Sequence, residues 1–268
     1  MVLPRADVGF AGGTSLTTAR FPDLEDATVF ITGGGSGIGA ALTAGFAAQG
    51  ARVAFVGRSD YSAFAAELGQ SARNAPLFIQ CDVTNTKALQ AAMQQAVDHF
   101  GPLKVLVNNA ANDLRMEALG VTEDDWQEMI DVNLKQYFFA CQQAAQLMSD
   151  GGAIINFSSI SYMFGAAGMA PYVTSNAGIT GMTRALAREW GDKGIRVNAL
   201  APGWVLTEKQ LDKWATPEGL EKYQAEQCIP QMMKPDDIVG PTLFLASDAS
   251  AMMTSQVLVV DAGRVVTG

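Results

Sequence analysis

Short apolar runs alternate with longer amphipathic stretches along most of the chain. The apolar runs predict β-strands at residues 28–31, 52–56, 77–80, 105–107, 153–156, 196–200 and 257–260. Most of these runs are continuously apolar, which is typical of strands buried on both faces of a parallel sheet. The stretches between them carry helical patterns, the clearest at residues 86–100, 123–148 and 172–190. This alternation of strands and helices predicts the α/β class, with a doubly wound parallel sheet.

The length of 268 residues is sufficient for one large α/β domain with a well-buried core. We expect residues 1–24, which are rich in Gly, Ser and Thr, to form a flexible N-terminal arm, and residues 25–268 to form a single domain. Residues 207–234 interrupt the alternation with a charged helical insert that contains Trp and Met. Because doubly wound sheets bind ligands at the carboxyl ends of their strands, we interpret this insert as a lid over those ends.

Composition and charge exclude several classes of protein. Apolar residues make up 49% of the chain and the net charge is −9 without a basic cluster, so we expect no nucleic-acid partner. No stretch has the length and apolarity of a membrane span, so we expect no membrane partner. The three cysteines are far apart and His99 is the one histidine, which predicts neither a disulfide framework nor a metal site. Such cysteine usage is typical of the reducing cytoplasm.

A glycine-rich segment from Thr32 to Gly39 follows the first predicted strand and precedes a helical pattern. Glycines let the backbone turn sharply and approach a phosphate closely, while the helix N-terminus supplies free N–H groups. In this context the segment predicts a dinucleotide phosphate loop, with a tight strand–helix turn as the alternative. The predicted contacts come from Gly33, Gly35, Ser36, Gly37, Ile38 and Gly39.

The spacing of Gly33, Gly37 and Gly39 resembles the TGxxxGxG motif of the short-chain dehydrogenase/reductases. Other segments resemble further motifs of that family in the same order: Asn108-Asn109-Ala110-Ala111 for NNAG, with Ala111 replacing its glycine, and Pro202-Gly203-Trp204-Val205-Leu206-Thr207 for PGxxxT. The resemblance covers roughly residues 26 to 263 and implies a Rossmann-like, dinucleotide-binding catalytic domain. It implies further cofactor contacts at Asp82, Val83, Asn109, Ala110, Pro202, Gly203, Val205 and Thr207.

The end of the second predicted strand bears on the choice between NAD and NADP. An acidic residue about 20 positions past the glycines usually holds the ribose 2′-hydroxyl of NAD. Gly57 stands where NAD-using relatives of the resembling family carry Asp, and Arg58 follows it. Because an arginine fork can pair with a 2′-phosphate, we expect NADP, with NAD as the alternative. In that alternative Arg58 is a solvated loop residue with Asp60 as its salt partner.

The resemblance also implies which residues are catalytic. Tyr172 corresponds to the family's tyrosine, whose phenol exchanges a proton with the substrate oxygen while hydride moves to or from the nicotinamide. Ser159 corresponds to the serine that hydrogen-bonds the reacting oxygen, and Asn133 to the asparagine that holds a water linking the site to solvent. The family's fourth catalytic residue is a lysine one helical turn after the tyrosine, and here Asn176 stands in its place.

The neutral side chain of Asn176 leaves the level of activity open. A free tyrosine has a pKa of about 10, and a neutral amide cannot stabilise tyrosinate as the lysine charge does. The chain is a slow enzyme with an alkaline optimum, a cofactor-binding protein that has lost catalysis, or a chain carrying a deliberate change of lysine to asparagine. Because Asn133, Ser159 and Tyr172 all remain, we favour an enzyme-derived chain.

Within the family the chain looks most like the aldose 1-dehydrogenases, which oxidise the anomeric hydroxyl of a sugar to a lactone. Three segments carry this resemblance: Thr32 to Gly39 and on to Gly50, Asn108 to Asp113, and residues 214–219 through 227–228. A sugar needs several hydrogen-bond partners, and the candidates that follow strand ends are Asn112, Arg115, Ser161 and Trp204. Alternatively, Asn112 and Arg115 only order a loop. A general ketone reductase is the alternative enzymatic activity.

The long helical patterns at residues 123–148 and 172–190 resemble the helices that build tetramers in the family. The resemblance therefore implies a homo-oligomer, either a tetramer or a dimer. Their apolar side chains, among them Phe138 and Trp190, fit an interface or the core equally well.

Overall fold

The computed structural model describes residues 19–266 of the chain. Its centre is one seven-stranded sheet in which every pair of neighbouring strands is parallel. The strands are β1 (Thr28–Thr32), β2 (Arg52–Gly57), β3 (Leu77–Gln80), β4 (Leu103–Asn108), β5 (Gly152–Phe157), β6 (Ile195–Pro202) and β7 (Val257–Val260). The predicted strands and the predicted fold class are confirmed.

The spatial order of the strands is β3-β2-β1-β4-β5-β6-β7. Strands β1 to β3 follow one another toward one edge of the sheet, and β4 to β7 toward the other edge, so the order reverses between β1 and β4. Thr32 pairs in register with both Val56 of β2 and Asn108 of β4, so these three strands end at the same edge. A doubly wound sheet binds ligands at such a reversal, beyond the carboxyl ends of its strands.

Helices cover both faces of the sheet. They are α1 (Gly37–Ala48), α2 (Ser62–Gly69), α3 (Thr86–Phe100), α4 (Glu123–Ile130), α5 (Gln136–Leu147), α6 (Ser161–Phe164), α7 (Ala170–Trp190), α8 (Glu208–Lys213), α9 (Pro217–Ala225) and α10 (Asp236–Ala246). One core contains residues of α1, α2 and α10, and the other contains residues of α3, α5 and α7. None of the helices within residues 19–266 has both the length and the apolarity to cross a membrane.

The two cores explain why the strands are continuously apolar. All five residues of β1 are buried. Val29 and Ile31 belong to the core that contains Phe46 of α1, whereas Phe30 belongs to the core that contains Met93 of α3. Because successive side chains of a strand point to opposite faces, a sheet covered on both faces favours consecutive apolar residues, as at positions 29–31.

The long helix predicted at residues 123–148 is interrupted. A capping box between Thr122 and Asp125 starts α4, as Thr122 Oγ1 accepts a hydrogen bond from Asp125 N and the Asp125 carboxylate accepts one from Thr122 N. A π-helical segment, Asp131–Lys135, then separates α4 from α5. Insertions of this type are frequent at functional sites, and this one contains Asn133.

The predicted N-terminal arm lies mostly outside the described residues, which begin at residue 19. Pro22–Leu24 form a short 3-10 helix, and Leu24 is only 1% exposed. Phe21 N donates a 3.0 Å hydrogen bond to Gln49 Oε1. The last residues of the predicted arm thus pack against the domain.

The insert predicted at residues 207–234 contains two short helices, α8 and α9. An isolated parallel bridge between Val205 and Met233 joins the two ends of the insert, and Leu206 N donates a 2.9 Å hydrogen bond to Met233 O. The insert therefore leaves and rejoins the domain at one place, directly after β6.

Candidate active site

The glycine-rich segment forms a tight loop between β1 and α1. Gly33 N and Gly34 N donate hydrogen bonds of 2.9 and 3.2 Å to Val56 O at the end of β2. A Cβ atom on Gly39 would lie 1.9 Å from Gly33 O, so this position admits no side chain. Ser36 precedes α1 without a side-chain cap, which leaves the helix N-terminus for an anion. The residues present therefore fit a dinucleotide pyrophosphate.

The loop that follows β4 is fastened to this glycine segment. Thr32 Oγ1 accepts hydrogen bonds from Asn109 N at 3.0 Å and Ala110 N at 3.1 Å. Asn109 Nδ2 donates in return to Thr32 O and Gly33 O, both at 3.2 Å. Asn109 and Ala110, two predicted cofactor contacts, thus lie beside the phosphate loop, and the Asn109 amide braces it.

The segment after β6 reaches the same loop from the other side. Pro202 ends β6, and the partly buried Gly203 follows it. Val205 is buried, at 4% exposure. Gly37 has a φ of +52°, and a Cβ added to it would lie 3.0 Å from Thr207 Cγ2. The structure therefore brings Thr207 against the phosphate loop, where the family resemblance implies that it contacts the cofactor.

The predicted contacts at the ends of β2 and β3 lie on a more open part of this edge. Arg58 is exposed, and its backbone oxygen accepts a 2.7 Å hydrogen bond from Gln80 Nε2. Asp82 Oδ1 accepts hydrogen bonds from Thr84 N at 3.0 Å and Thr84 Oγ1 at 2.8 Å. Val83 is 6% exposed and belongs to the core of α3, α5 and α7, so any cofactor contact there comes from its backbone.

Tyr172, Ser159 and Asn176 converge at the carboxyl edge of β5. Ser159 follows β5, and the other two residues lie one turn apart on α7. Burial raises the pKa of Tyr172 to about 12, and the nearby Asp113 carboxylate adds to the rise. Hydrogen bonding by Asn176 and Ser159 lowers the pKa of the same phenol. The phenol is thus strongly held in its neutral form.

Asn176 is 2% exposed and is tied to its own helix. Its Nδ2 donates a 2.9 Å hydrogen bond to Tyr172 O, one turn back. Its backbone oxygen accepts hydrogen bonds from Ser158 Oγ at 3.1 Å and Thr180 Oγ1 at 3.2 Å. The side chain is polar and neutral, and it brings no charge to the phenol.

Asn133 holds the loop after β4 through reciprocal hydrogen bonds. Its Oδ1 accepts from Asn112 N at 2.8 Å, and its Nδ2 donates to Asn112 O at 3.0 Å. The same Nδ2 donates to Met129 O at 2.9 Å. This buried side chain therefore positions Asn112, and the water-binding role expected of Asn133 remains a prediction.

The four predicted substrate contacts have different surroundings. Ser161 N donates a 3.1 Å hydrogen bond to Ser159 Oγ, while the buried Ser161 Oγ has no hydrogen-bond partner among the described residues. The exposed Arg115 places its guanidinium 4.5 Å from the ring centroid of Trp214, before α9. Trp204 Nε1 donates a 2.8 Å hydrogen bond to Gln210 Oε1 of the insert. Ser161 therefore offers a buried hydroxyl group that is free to bond a ligand.

Sequence reasoning missed the residues that join the insert to the site. Asp113 Oδ1 accepts a 2.6 Å hydrogen bond from Lys209 Nζ, and Asp113 Oδ2 accepts one of 2.6 Å from Gln210 Nε2. Lys209 Nζ also lies 3.5 Å from Asn112 Oδ1. Asp113 stands directly after a predicted site residue and Lys209 lies within the predicted lid, but no local pattern pairs them.

A second missed group joins the C-terminal segment to the insert. Tyr223 of α9 accepts a 2.6 Å hydrogen bond from Trp204 N through its hydroxyl. The Arg264 guanidinium lies 4.3 Å from the ring centroids of both Tyr223 and Phe164. It also forms a 2.6 Å salt bridge with Glu226. Arg264 therefore links α9 to α6, which follows the Ser159 loop.

Metal ligands are not grouped in the described part of the chain. Among residues 19–266, no cluster of three or more His, Cys, Asp or Glu side chains has an arrangement that could hold a metal ion.

Comparison with known proteins identifies relatives over almost the whole chain. A family model described as "Enoyl-(Acyl carrier protein) reductase" matches residues 33–264. "Probable galactose dehydrogenase GalD" of Rhizobium meliloti is 48% identical over 257 residues, which cover 93% of this chain and 99% of the relative. D-xylose 1-dehydrogenase of Caulobacter vibrioides is 44% identical over 252 residues, covering 92% and 99%. D-threitol dehydrogenase of Mycolicibacterium smegmatis is 35% identical over 246 residues, covering 90% and 93%.

Solved structures share the same architecture. A short-chain dehydrogenase/reductase from Serratia marcescens superposes with a TM-score of 0.85 at 33% identity, covering 90% of this chain and 99% of that one. A short-chain type dehydrogenase/reductase from Mycobacterium ulcerans superposes with a TM-score of 0.87 at 27% identity, covering 92% and 91%.

Proposed function

The chain belongs to the short-chain dehydrogenase/reductase family, and we propose that it oxidises the anomeric hydroxyl of an aldose to a lactone. It is an NAD(P)-dependent oxidoreductase acting on the CH–OH group of a sugar or polyol. The observation that carries the finer proposal is its full-length similarity to two proteins named as sugar dehydrogenases, at 48% and 44% identity. In both alignments the insert at residues 207–234 lies within the matched length.

In the proposed reaction the oxidised nicotinamide, when bound, supplies the hydride acceptor for the C1 hydrogen. Tyr172 takes the proton of the C1 hydroxyl, and Ser159 donates a hydrogen bond to the same oxygen. The loop from Gly33 to Gly39 holds the pyrophosphate, because the uncapped start of α1 offers backbone N–H groups. The sugar C1 hydroxyl thus loses a hydride from carbon and a proton from oxygen, which yields the lactone.

Asn176 limits the rate of this proposed reaction. With its pKa raised to about 12, Tyr172 is almost entirely protonated at neutral pH and is a poor base. We therefore expect slow turnover with an alkaline optimum. A cofactor-binding protein with weakened catalysis is the second candidate, and the neutral, internally bonded amide of Asn176 is the observation that favours it.

For the cofactor, we propose NADP in preference to NAD. Support comes from Gly57, which places no carboxylate at the end of β2, and from the exposed cation of Arg58 beside it. A planar guanidinium pairs well with a phosphate. Titration of the chain with each nucleotide tests this preference, and tighter binding of NAD⁺ would contradict it.

For the substrate, we propose that the sugar hydroxyls meet Asn112, Arg115, Ser161 and Trp204. Ser161 is the best supported of these, since its buried Oγ lacks a partner within residues 19–266. A buried hydroxyl without a partner is costly, and a substrate hydroxyl would relieve that cost. A general ketone reductase remains the alternative activity at the same site.

We further propose that the chain forms a homo-oligomer, a tetramer or a dimer, in the cytoplasm. Trp126 of α4 and Phe138 of α5 are 42% and 40% exposed, which leaves large apolar side chains on neighbouring helices. Such side chains are enriched at protein interfaces. Light scattering coupled to size-exclusion chromatography measures the mass in solution, and a monomer would contradict this part of the proposal.

A panel of aldoses, polyols and ketones tests the function directly. Aldoses and polyols are incubated with NAD⁺ or NADP⁺ at neutral and alkaline pH, and formation of the reduced nucleotide is measured. Ketones are incubated with NADH or NADPH, and consumption of the reduced nucleotide is measured. The proposal expects aldoses to give the highest rates and a lactone as the product. Highest activity with ketones would favour the reductase, and a flat panel with measurable nucleotide binding would favour the weakened protein.

A further inference from the structure

The ring of Tyr61, the residue before α2, lies against two glycines of the proposed nucleotide site. A Cβ atom on Gly35 of the phosphate loop would be 2.2 Å from Tyr61 Cγ. A Cβ on Gly57 at the end of β2 would be 2.6 Å from Tyr61 Cε2. Phe78 of β3 packs edge-on against the same ring, with centroids 5.8 Å apart at 88°. The ring is thus held between three elements.

These contacts explain why positions 35 and 57 are glycine. Neither Gly35 nor Gly57 is among the residues with positive φ in the described chain, so backbone conformation does not require glycine at either place. The space is what excludes a side chain, since the ring of Tyr61 occupies it. To admit a side chain at Gly57, the ring of Tyr61 would have to shift from its present position.

One cation and two carboxylates surround this ring. Arg58 follows Gly57 and is exposed. The Asp60 carboxylate is occupied by Ser62, whose N and Oγ donate hydrogen bonds of 2.9 and 2.6 Å to Asp60 Oδ1. Asp82 Oδ1 is occupied in the same way by Thr84. Arg58 is the cation next to position 57, and its charge also acts on the Asp82 carboxylate.

We propose that Tyr61 is a cofactor-specificity residue: its ring takes the volume that an acidic side chain at position 57 would need. The 2′ side of the adenosine ribose is then left to Arg58, which suits a 2′-phosphate. The inference rests on the proposed NAD(P)-dependent function and assigns the selection of its cofactor to a packing contact. Positions 57 and 61 should accordingly act as a coupled pair.

The test compares Gly57→Asp, Tyr61→Ala and the double variant with the unaltered chain. Nucleotide-free melting temperature and calorimetric Kd values for NAD⁺ and NADP⁺ are measured for each. Gly57→Asp alone should lower the melting temperature without a gain in NAD⁺ affinity, because the new side chain meets the ring. The double variant should recover the melting temperature and shift the NAD⁺/NADP⁺ affinity ratio toward NAD⁺ by about tenfold or more, the effect of one charged hydrogen bond.

Gly57→Asp combined with Tyr61→Phe is the matched control, because it keeps the ring and removes only the hydroxyl. The melting temperature of this control variant should be as low as that of Gly57→Asp alone. The inference is overturned if Gly57→Asp alone melts normally and switches preference, or if the double variant does not switch. Tighter binding of NAD⁺ by the unaltered chain would overturn the inference and leave sugar oxidation standing, whereas binding of neither nucleotide would overturn both.

Discussion

The carboxylate of Asp113 accepts a 2.6 Å hydrogen bond from the ammonium of Lys209, which joins the loop after β4 to α8. Gln210 Nε2 donates to the other oxygen of the same carboxylate, also at 2.6 Å. Asp113 is close enough to Tyr172 for its charge to raise the pKa of that phenol. One carboxylate therefore holds the insert and disfavours ionisation of the proposed catalytic base.

Asp113→Asn should change both properties. Loss of the partly exposed ion pair costs about 1 kcal/mol or less, so we expect a loosened insert, faster proteolysis within residues 207–234 and a several-fold higher KM. Because the removed charge raises the pKa of Tyr172, the limb of the pH–rate profile on which the rate rises with pH should move toward lower pH. The control is Asp212→Asn, which changes an exposed carboxylate on α8, the helix that carries Lys209. An unchanged pH profile would show that Asp113 acts on the insert alone.

Asn176→Lys should raise turnover near neutral pH and shift the pH–rate profile toward acid. Tyr172 must lose its proton to act as a base, and a nearby positive charge lowers its pKa from about 12. Each unit of that shift increases the tyrosinate fraction at neutral pH about tenfold. Asn176→Met is the control, because methionine is about as long as lysine but carries no charge, and the turnover of this variant should stay slow. Melting temperatures are needed for both, since position 176 is buried at 2% exposure. Equal profiles for the lysine and methionine variants would refute this account of the site.

Tyr172→Phe should abolish most of the turnover and leave nucleotide affinity unchanged. The substitution removes the proposed proton acceptor, and general acid–base catalysis contributes roughly 10²–10⁴-fold to rate. The phosphate loop is formed by other elements, so calorimetric Kd values should match those of the unaltered chain. Tyr162→Phe, at a partly buried tyrosine of α6, is the matched control. Substantial residual turnover in Tyr172→Phe would assign the base to another group.

Arg264→Lys should loosen α9 even though it preserves the charge. Lysine keeps a cation near Glu226 but loses the planar group that lies over Tyr223 and Phe164. Two cation–π contacts of about 0.5–1 kcal/mol each predict a loss of about 1–2 kcal/mol. Urea unfolding measures the total, and hydrogen exchange measures protection of α9.

Glu226→Gln removes only the ion pair of Arg264, whose carboxylate partner is 42% exposed. We expect this control to have a smaller effect than Arg264→Lys, because exposed ion pairs contribute little. The reverse order of the two effects would show that the ion pair, and not ring stacking, holds the C-terminal segment.

Local sequence signals were sufficient for most of the fold. The strand runs were predictable because both faces of the sheet are covered, which buries every position of a strand such as Thr28–Thr32 and favours apolar residues there. The tight glycine-rich loop between β1 and α1 was predictable because its glycines act within one strand–turn–helix unit. The long helix predicted at residues 123–148 was less accurate, because the π-helical segment Asp131–Lys135 interrupts it, and Asn133 of that segment bonds the distant Asn112.

The amino-acid sequence by itself determined the α/β class, the parallel strands, the glycine loop and the neutral residue at position 176. These features follow from side-chain periodicity and residue type within short windows. Only the tertiary structure decided that Tyr61 fills the space beside Gly57, that Asp113 meets Lys209, and that Arg264 lies on Tyr223. The last two pairings join residues far apart in the chain, and all three depend on how strands and helices pack. No local spacing encodes that packing.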